Sequence, residues 1–466
     1  ERFLSSLQNR YSNMVSWNRV NFLYPKLLCG ALLWYLGYLF VAIPILAYGL
    51  GYFLIYIWKD VFPVDPAYYN LFGDRPNSIS NLPVILTLER CDPDDLRNYL
   101  AEKLMHPHFE KLRYRFVDCF GRMVHKLCQR FDPKRHIFQS DSKTLSKDDL
   151  MAEIAKHSAE WWDDDKPRWK IEIYPNYLEN QTAIIFLFHH TLIDGVSVFS
   201  MLLSMMKCQG EPNIPQVNNV LPLWKRIFAI FAFPFLYSSA LNIVITNQEE
   251  FCLQKHIQPK GQRVSNIETF DVSEVRSIAK KRNTTVGILL SAAIIDSMKK
   301  CSIELSGKCP EKIKTAFPVG FRSIPNDGSS LPLGNFYNCV FPTFSTSAAD
   351  IISHCAEEIH KVKNSLESYI IWKFIFGYSE RFGTTEEMRK NVWNPEYPPG
   401  TAVCISNIAG PRCQTTLLGK DVDVVSFFVA PWNNTVNAYA ITGWGNQINV
   451  AFGTDEIYGI DPKFIT

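Results

Sequence analysis

The sequence predicts an α/β protein of two mixed domains behind an N-terminal membrane helical hairpin. Three features carry this reading. Strand-like and helix-like segments alternate in both halves of the chain. A proline-containing stretch at 208–258 separates those halves. Residues 27–58 carry no charged side chain. The chain then divides into an anchor at 1–65, a first α/β domain at 66–207, a crossover at 208–258 and a second α/β domain at 259–466.

Composition narrows the class. Of 466 residues, 47% are hydrophobic and 20% charged, so large cores can form and a disordered chain is excluded. A formal charge of +2 lacks the basic footprint of a nucleic-acid binder. An aromatic content of 14% fits deep apolar cores with lipid-facing surface. Twelve cysteines are scattered, with no Cys-x-x-Cys pair and no zinc-like spacing. That usage fits reduced cytosolic thiols and no metal site. Sequons at Asn180, Asn283 and Asn433 acquire meaning only in a secretory lumen.

The uncharged run Leu27–Trp58 exceeds the length that marks a membrane segment. As one straight helix it would reach about 48 Å, against a hydrocarbon core of about 30 Å. Pro44 divides it into arms of roughly 25 and 21 Å. These lengths favour a hairpin that enters and leaves by one face, with a kinked single span as the competitor. Arg2, Arg10, Arg19 and Lys26 put the N-terminus on the cytoplasmic side, and a hairpin returns the rest of the chain there. The chain beyond the hairpin is therefore expected to face the cytosol. A second uncharged stretch, Ile227–Ile245, contains Pro234 and follows Lys225-Arg226. It reads either as a buried interdomain helix pair or as a segment dipping into the leaflet.

In the first domain Pro83–Leu88 reads as a strand. Residues 93–126 carry helical spacing through Leu96, Leu100, Leu104, Leu112, Phe116 and Phe120. Gln139–Asp149 reads as loop and Leu150–Trp162 as helix. Trp169–Tyr174 and Thr182–Phe188 read as strands joined by a Pro175-Asn176 turn, and Val196–Lys207 as an apolar helix. In the second domain Asn266–Phe270 is a strand, followed by helices Glu274–Lys281 and Val286–Lys299. Strands Lys314–Val319 and Phe336–Phe341 lead to helix Ala348–Glu367. Strands at Thr401–Asn407, Ser426–Val429, Val436–Thr442 and Gln447–Gly453 complete the pattern. No phosphate-loop or dinucleotide-binding signature occurs.

One motif carries chemistry. Thr182–Phe188 is nearly all apolar, as in a strand buried on both faces, and it ends in His189-His190. Neighbouring strand residues point to opposite faces, so only one histidine can line a given cavity. Asp194-Gly195 marks a tight turn before the next helix. Gly195 permits a backbone conformation that a Cβ would hinder. Asp194 can fold back to fix the loop, or pair with a distant arginine. An alcohol attacking a thioester must lose its proton, and a histidine with an ordinary pKa of about 6.5 can take it and return it to the leaving thiolate.

His189-His190-x-x-x-Asp194-Gly195 resembles the signature of the coenzyme A-dependent acyltransferase superfamily. Four further matches narrow the resemblance to the wax ester synthase/diacylglycerol acyltransferase family. They are Pro167-Arg168-Trp169, Pro318-Val319-Gly320-Phe321-Arg322, Leu333-Gly334-Asn335 and Ser406-Asn407-Ile408-Ala409-Gly410-Pro411. Val286-Gly287 stands where that family often carries Asn-Asp, and 27–58 and 227–245 have no counterpart in its soluble bacterial members. The chain therefore resembles a eukaryotic membrane-anchored branch.

The resemblance implies two chloramphenicol-acetyltransferase-like domains with the histidine in a tunnel between them. It implies His190 as general base, His189 as its support and Asp194 as the structural holder of the loop. Gly195 would keep the tunnel approach open. Asn335 and Asn407 would support the domain interface or polarise the substrate, and Arg322 would pair with Asp194. The reaction implied is transfer of a long-chain acyl group from acyl-CoA, a cosubstrate and not a bound cofactor, to a fatty alcohol. Diacylglycerol is the alternative acceptor, and a non-catalytic lipid-binding or transfer protein is the alternative class. The lipid membrane is the expected partner surface.

Overall fold

The computed structural model describes residues 36–37, 46, 49–51, 53–59, 61–63, 80–119, 122–140, 144–163, 165–216, 222–245, 261, 263–371, 401–429 and 435–461. Two units separate at Val61/Phe62. In the first unit residues 53–59 are helical, and Phe53, Leu54, Ile57 and Trp58 are exposed. Most of the expected hairpin at 27–58 lies outside the described residues. Among the described residues no helix is long and apolar enough to cross a membrane.

In chain order the second unit begins with β1 (Phe62–Pro63), β2 (Asn81–Glu89), α1 (Pro93–Lys103), β3 (Tyr114–Cys119), β4 (Arg122–Leu127) and β5 (Ile137–Gln139). It continues with α2 (Lys147–Ser158), β6 (Trp169–Tyr177), β7 (Gln181–His189), α3 (Gly195–Met205), β8 (Lys207–Cys208) and α4 (Leu223–Ile245). Then come β9 (Arg263–Asp271), α5 (Val272–Lys281), α6 (Val286–Ser306), β10 (Lys312–Gly320), β11 (Tyr337–Val340), β12 (Thr343–Ser345), α7 (Ile351–Lys363) and α8 (Leu366–Ile370). β13 (Thr401–Ala409), β14 (Thr415–Leu417), β15 (Lys420–Phe427), β16 (Thr435–Trp444) and β17 (Gln447–Asp455) close the fold.

The described strands form two seven-stranded sheets and a three-stranded ribbon, so the chain is α/β with two sheet-rich halves. The first sheet has the order β5-β6-β7-β2-β15-β14-β8. The second runs β11-β10-β13-β16-β17-β9, with β12 also on β10. The sheets divide the chain differently from a single cut at residue 259. Residues 415–427 cross back to the first sheet, where β15 pairs with β2.

Alternation along β13, β16 and β17 explains how the halves join. Cys404, Ala438, Ala440 and Ala451 point into the core shared with the first sheet. Their neighbours Val403, Ile405, Tyr439, Ile441, Val450 and Phe452 point the other way, into the core beneath α6 and α7. Small residues on one face let the two halves approach closely. Large ones on the other fill the space under the helices.

Several local expectations are corrected. The helical reading of 93–126 ends with α1, because Pro107 opens a short 3-10 turn and β3 and β4 follow. A spacing of four residues, as from Phe116 to Phe120, suits both helix and strand periods. β6 runs through Pro175 to Tyr177, with a register shift after Tyr174. The turn falls at 178–180, where Leu178 and Glu179 take positive φ. α2 starts earlier than expected because Ser146 and Asp149 form a reciprocal capping box. α4 is one continuous helix through Pro234, not a broken pair. The helix expected at 348–367 instead ends at Lys363, and α8 follows.

Candidate active site

β7 is the third strand of the first sheet and is flanked by β6 and β2, which explains its apolar run. The histidines leave its end in opposite directions. His189 is fully buried, with its ring edge-on to Phe116. Its Nδ1 lies 2.6 Å from the Thr191 hydroxyl and accepts the Thr191 N–H at 3.3 Å, so Nδ1 is the acceptor nitrogen. His190 begins the turn beyond the strand, anchored by its own N–H to the Ser80 carbonyl at 2.8 Å. Its ring meets Tyr337 at 5.4 Å between centroids.

Asn335 fixes the tautomer of His190. Its Nδ2 donates to the Thr191 carbonyl at 3.0 Å, and a carbonyl can only accept. The amide oxygen is therefore the atom facing His190 Nδ1, at 3.3 Å. Nδ1 must carry the proton, which leaves the lone pair on Nε2. Burial pushes the imidazole below its ordinary pKa, and the nearby Asp194 charge and the Asn335 bond only partly oppose that. The ring is thus neutral near pH 7, in the form that can accept a proton.

Asp194 organises the loop between β7 and α3. It is the N-cap of α3, accepting from Ser197 N–H at 2.8 Å and the Ser197 hydroxyl at 2.6 Å through Oδ1. Its Oδ2 accepts the Phe336 N–H at 2.7 Å. The Asp194 N–H donates to the Gly334 carbonyl at 3.0 Å. Arg322 pairs with Asp194 at 3.2 Å and contacts the Ser197 hydroxyl. It also donates to the Pro332 carbonyl at 2.9 Å and stacks over the Phe336 ring. Residues 322–336 of the second half are thereby tied to the catalytic loop of the first.

The other expected residues sort differently. Gly195 has no positive φ, so backbone freedom is not what requires it. A Cβ there would come within 2.1 Å of Ile408 Cδ1, so the missing side chain admits β13 against the start of α3. Asn407 is exposed on β13, and its Nδ2 lies 2.8 Å from where a Cβ on Gly287 would stand. Glycine at 287 makes room for that amide, in place of the polar partner often found there. Asn335 is thus brought to His190, while Asn407 stands beside Gly287 at the start of α6.

Sequence reading missed four contributors. Thr191 orients both His189 and Asn335, and Ser197 completes the cap. Ser80 offers only a carbonyl, which no residue type signals. Tyr337 opens β11 two residues beyond Asn335, and no motif in the sequence singles it out.

Two polar features lie elsewhere. A cavity of about 280 Å³ opens beside Glu89, Gln181, Asp421 and Asp423, at the far end of β7 from the histidines. Behind the first sheet, Glu153, His157 and Glu172 bring possible metal-ligand atoms within 4.8 Å of one another. Both His157 nitrogens are already engaged, by Glu160 at 2.8 Å and Glu172 at 3.0 Å, and Lys170 pairs with both carboxylates. Burial works to raise the Glu172 carboxyl, but bonds from His157, Lys170 and Tyr174 overcome it and hold it below its usual range. This is an ionic network rather than an open coordination site.

A histidine kept neutral between two sheet-rich halves has the form that acid–base chemistry requires. Residues 100–224 match the wax ester synthase/diacylglycerol acyltransferase catalytic domain, and residues 333–466 match the C-terminal domain of the same family. The chain belongs to that family and is an acyl-CoA-dependent O-acyltransferase. It is 21% identical over 341 residues to wax ester synthase/diacylglycerol acyltransferase 9 of Arabidopsis thaliana, covering 59% of this chain and 69% of that protein. Its fold is similar to that of the wax ester synthase/diacylglycerol acyltransferase from Marinobacter aquaeolei VT8. There the TM-score is 0.58 at 15% identity, covering 86% of this chain and 96% of that one. It is also similar to the starter condensation domain of rhizomide synthetase in complex with C8-CoA and Leu-SNAC. For that domain the TM-score is 0.54 at 10% identity, covering 88% and 92% of the two chains.

Proposed function

We propose that this enzyme moves a long-chain acyl group from acyl-CoA to a long-chain fatty alcohol, making a wax ester. The observation that carries the mechanism is the fixed tautomer of His190, with its proton on Nδ1 facing Asn335. Nε2 takes the hydroxyl proton of the alcohol as its oxygen attacks the thioester carbonyl carbon. The tetrahedral adduct then collapses, the carbon–sulfur bond breaks, and Nε2 returns the proton to the departing thiolate. No acyl-enzyme forms. His189 and Asp194 hold the loop, and Asn335 steadies the imidazolium through its amide oxygen. Acyl-CoA would enter the space between the two halves from one side and the alcohol from the other.

The uncharged run at 27–58 supports anchoring at the endoplasmic reticulum membrane or a lipid droplet, with the site on the cytosolic side. Glycan attachment at Asn180, Asn283 or Asn433 in cells would contradict that orientation.

The deciding experiment gives purified enzyme labelled acyl-CoA with hexadecanol and diacylglycerol in competition. Wax ester should dominate. Triacylglycerol as the main product would transfer the same mechanism to the other acceptor. His190→Ala should lose roughly 100-fold or more in kcat with an unchanged unfolding transition. Full activity in that variant would end the general-base assignment.

A further inference from the structure

Among the described side chains of α4, which end at Leu236, apolar residues occupy two faces and one of those faces is covered. At about 100° per residue, Leu223, Trp224, Ile227, Phe228, Phe231 and Phe235 fall in one arc of roughly 140°. Each of these side chains is between 48% and 65% exposed. On the opposite side Ala229 is fully buried against Ile370 and Ile371, with Phe233 and Leu236 packed beside it. A helix apolar all round is normally enclosed, and a contiguous aromatic stripe of this kind marks an interaction surface.

Charge and position identify the occupant. Lys225 and Arg226 lie beyond the two edges of the stripe, and no acidic residue occurs anywhere from Leu223 to Ile245. Cations flanking an aromatic stripe suit a helix lying in the plane of an anionic lipid surface, with rings below and headgroups alongside. Lys225 and Arg226 in the first turn, with Ser238, Ser239 and Asn242 in the second half of its sequence, suit a helix lying in the plane of the surface. The stripe is also joined to the catalytic loop. Phe341 packs on the α4/α8 cluster and directly follows β11, whose first residue Tyr337 touches His190. Four strand residues cover roughly 13 Å.

We infer that the exposed face of α4 docks in the headgroup layer of an anionic phospholipid bilayer and sets the acceptor side of the His190 site against it. The delivery role rests on the proposed lipid alcohol, while the docking itself does not.

The test uses the full chain and vesicles of phosphatidylcholine and phosphatidylserine, with bromine on the acyl chains as the quencher. Wild-type tryptophan fluorescence should fall more than that of Trp224→Phe, because Trp224 contributes a lipid-facing signal. Phe228→Ser/Phe231→Ser should lower turnover of vesicle-borne hexadecanol roughly tenfold, yet leave turnover of water-soluble hexanol unchanged. Equal quenching in wild type and Trp224→Phe overturns the inference, as does unchanged turnover of hexadecanol in the double variant. A dimer that the double variant converts to monomer, with no Trp224-dependent quenching, would assign the stripe to a second copy and also overturn it. If wild type esterifies neither alcohol while Trp224 is quenched, the acceptor proposal fails and the docking stands.

Discussion

The pairing of Asp194 with Arg322 makes the most demanding prediction, because it joins the helix cap, the catalytic loop and the two halves at one carboxylate. Asp194→Asn leaves a good cap residue at the start of α3 and removes the charge that faces Arg322. The Asp194 and Arg322 side chains are only 5% and 17% exposed. Stranding a buried partner in this way costs about 3–5 kcal/mol. Arg322→Met should cost less, about 1–3 kcal/mol, because Ser197 N–H and Phe336 N–H still satisfy the carboxylate. The double variant should be more stable than the sum of the singles predicts, by about 2 kcal/mol or more. Urea unfolding followed by tryptophan fluorescence measures all four corners of the cycle. Additivity within about 0.5 kcal/mol would refute the coupling. Both singles should also lose roughly tenfold to hundredfold in kcat, since Thr191 and His190 lie on the loop that Asp194 closes.

The remaining predictions concern single side chains. Since burial holds His190 below its ordinary pKa, kcat/KM should rise with pH through a value under about 6.5 and be flat at neutrality. Asn335→Leu should move that limb lower and reduce the plateau, whereas Asn335→Asp should move it higher; a limb that stays fixed in both would remove Asn335 from the site. Gly195→Ala should destabilise by about 1–3 kcal/mol through the Ile408 Cδ1 overlap, and Ile408→Val should restore much of it. His125 is buried and held well below its ordinary pKa, first by desolvation and then by Lys111, Arg168 and His189. The unfolded chain therefore takes up a proton near pH 6.5 that the folded chain refuses. Stability should fall with pH below that value, by up to about 1.4 kcal/mol per unit, and His125→Leu should flatten the slope.

Legibility in the sequence followed the range of each cause. β7 was readable because burial on both faces leaves an unbroken apolar run, and α3 because it continues that run past a glycine. The Asp194 turn was readable because capping is local. β3 and β4 were misread as helix because a four-residue spacing satisfies both periods, and only Pro107 disagreed. The return of β15 to β2 was invisible, since alternation says which face is buried but not which sheet receives it. Asn335 came from a short motif and reached His190. Asn407 came from another motif and stands instead against Gly287. Both are asparagines near strand ends, so type and local pattern could not separate them.

The pairing of β2 with β15 also governs how this enzyme is made. β2 ends at Glu89, and its second neighbour is complete only at Phe427, 338 residues later. At roughly 5–20 residues per second, one edge of β2 waits roughly 17–68 seconds for its partner. Until then the hydrogen-bonding groups of an otherwise buried apolar strand stand open to other chains. A fragment ending before residue 420 lacks β15 and would keep that edge of β2 open permanently.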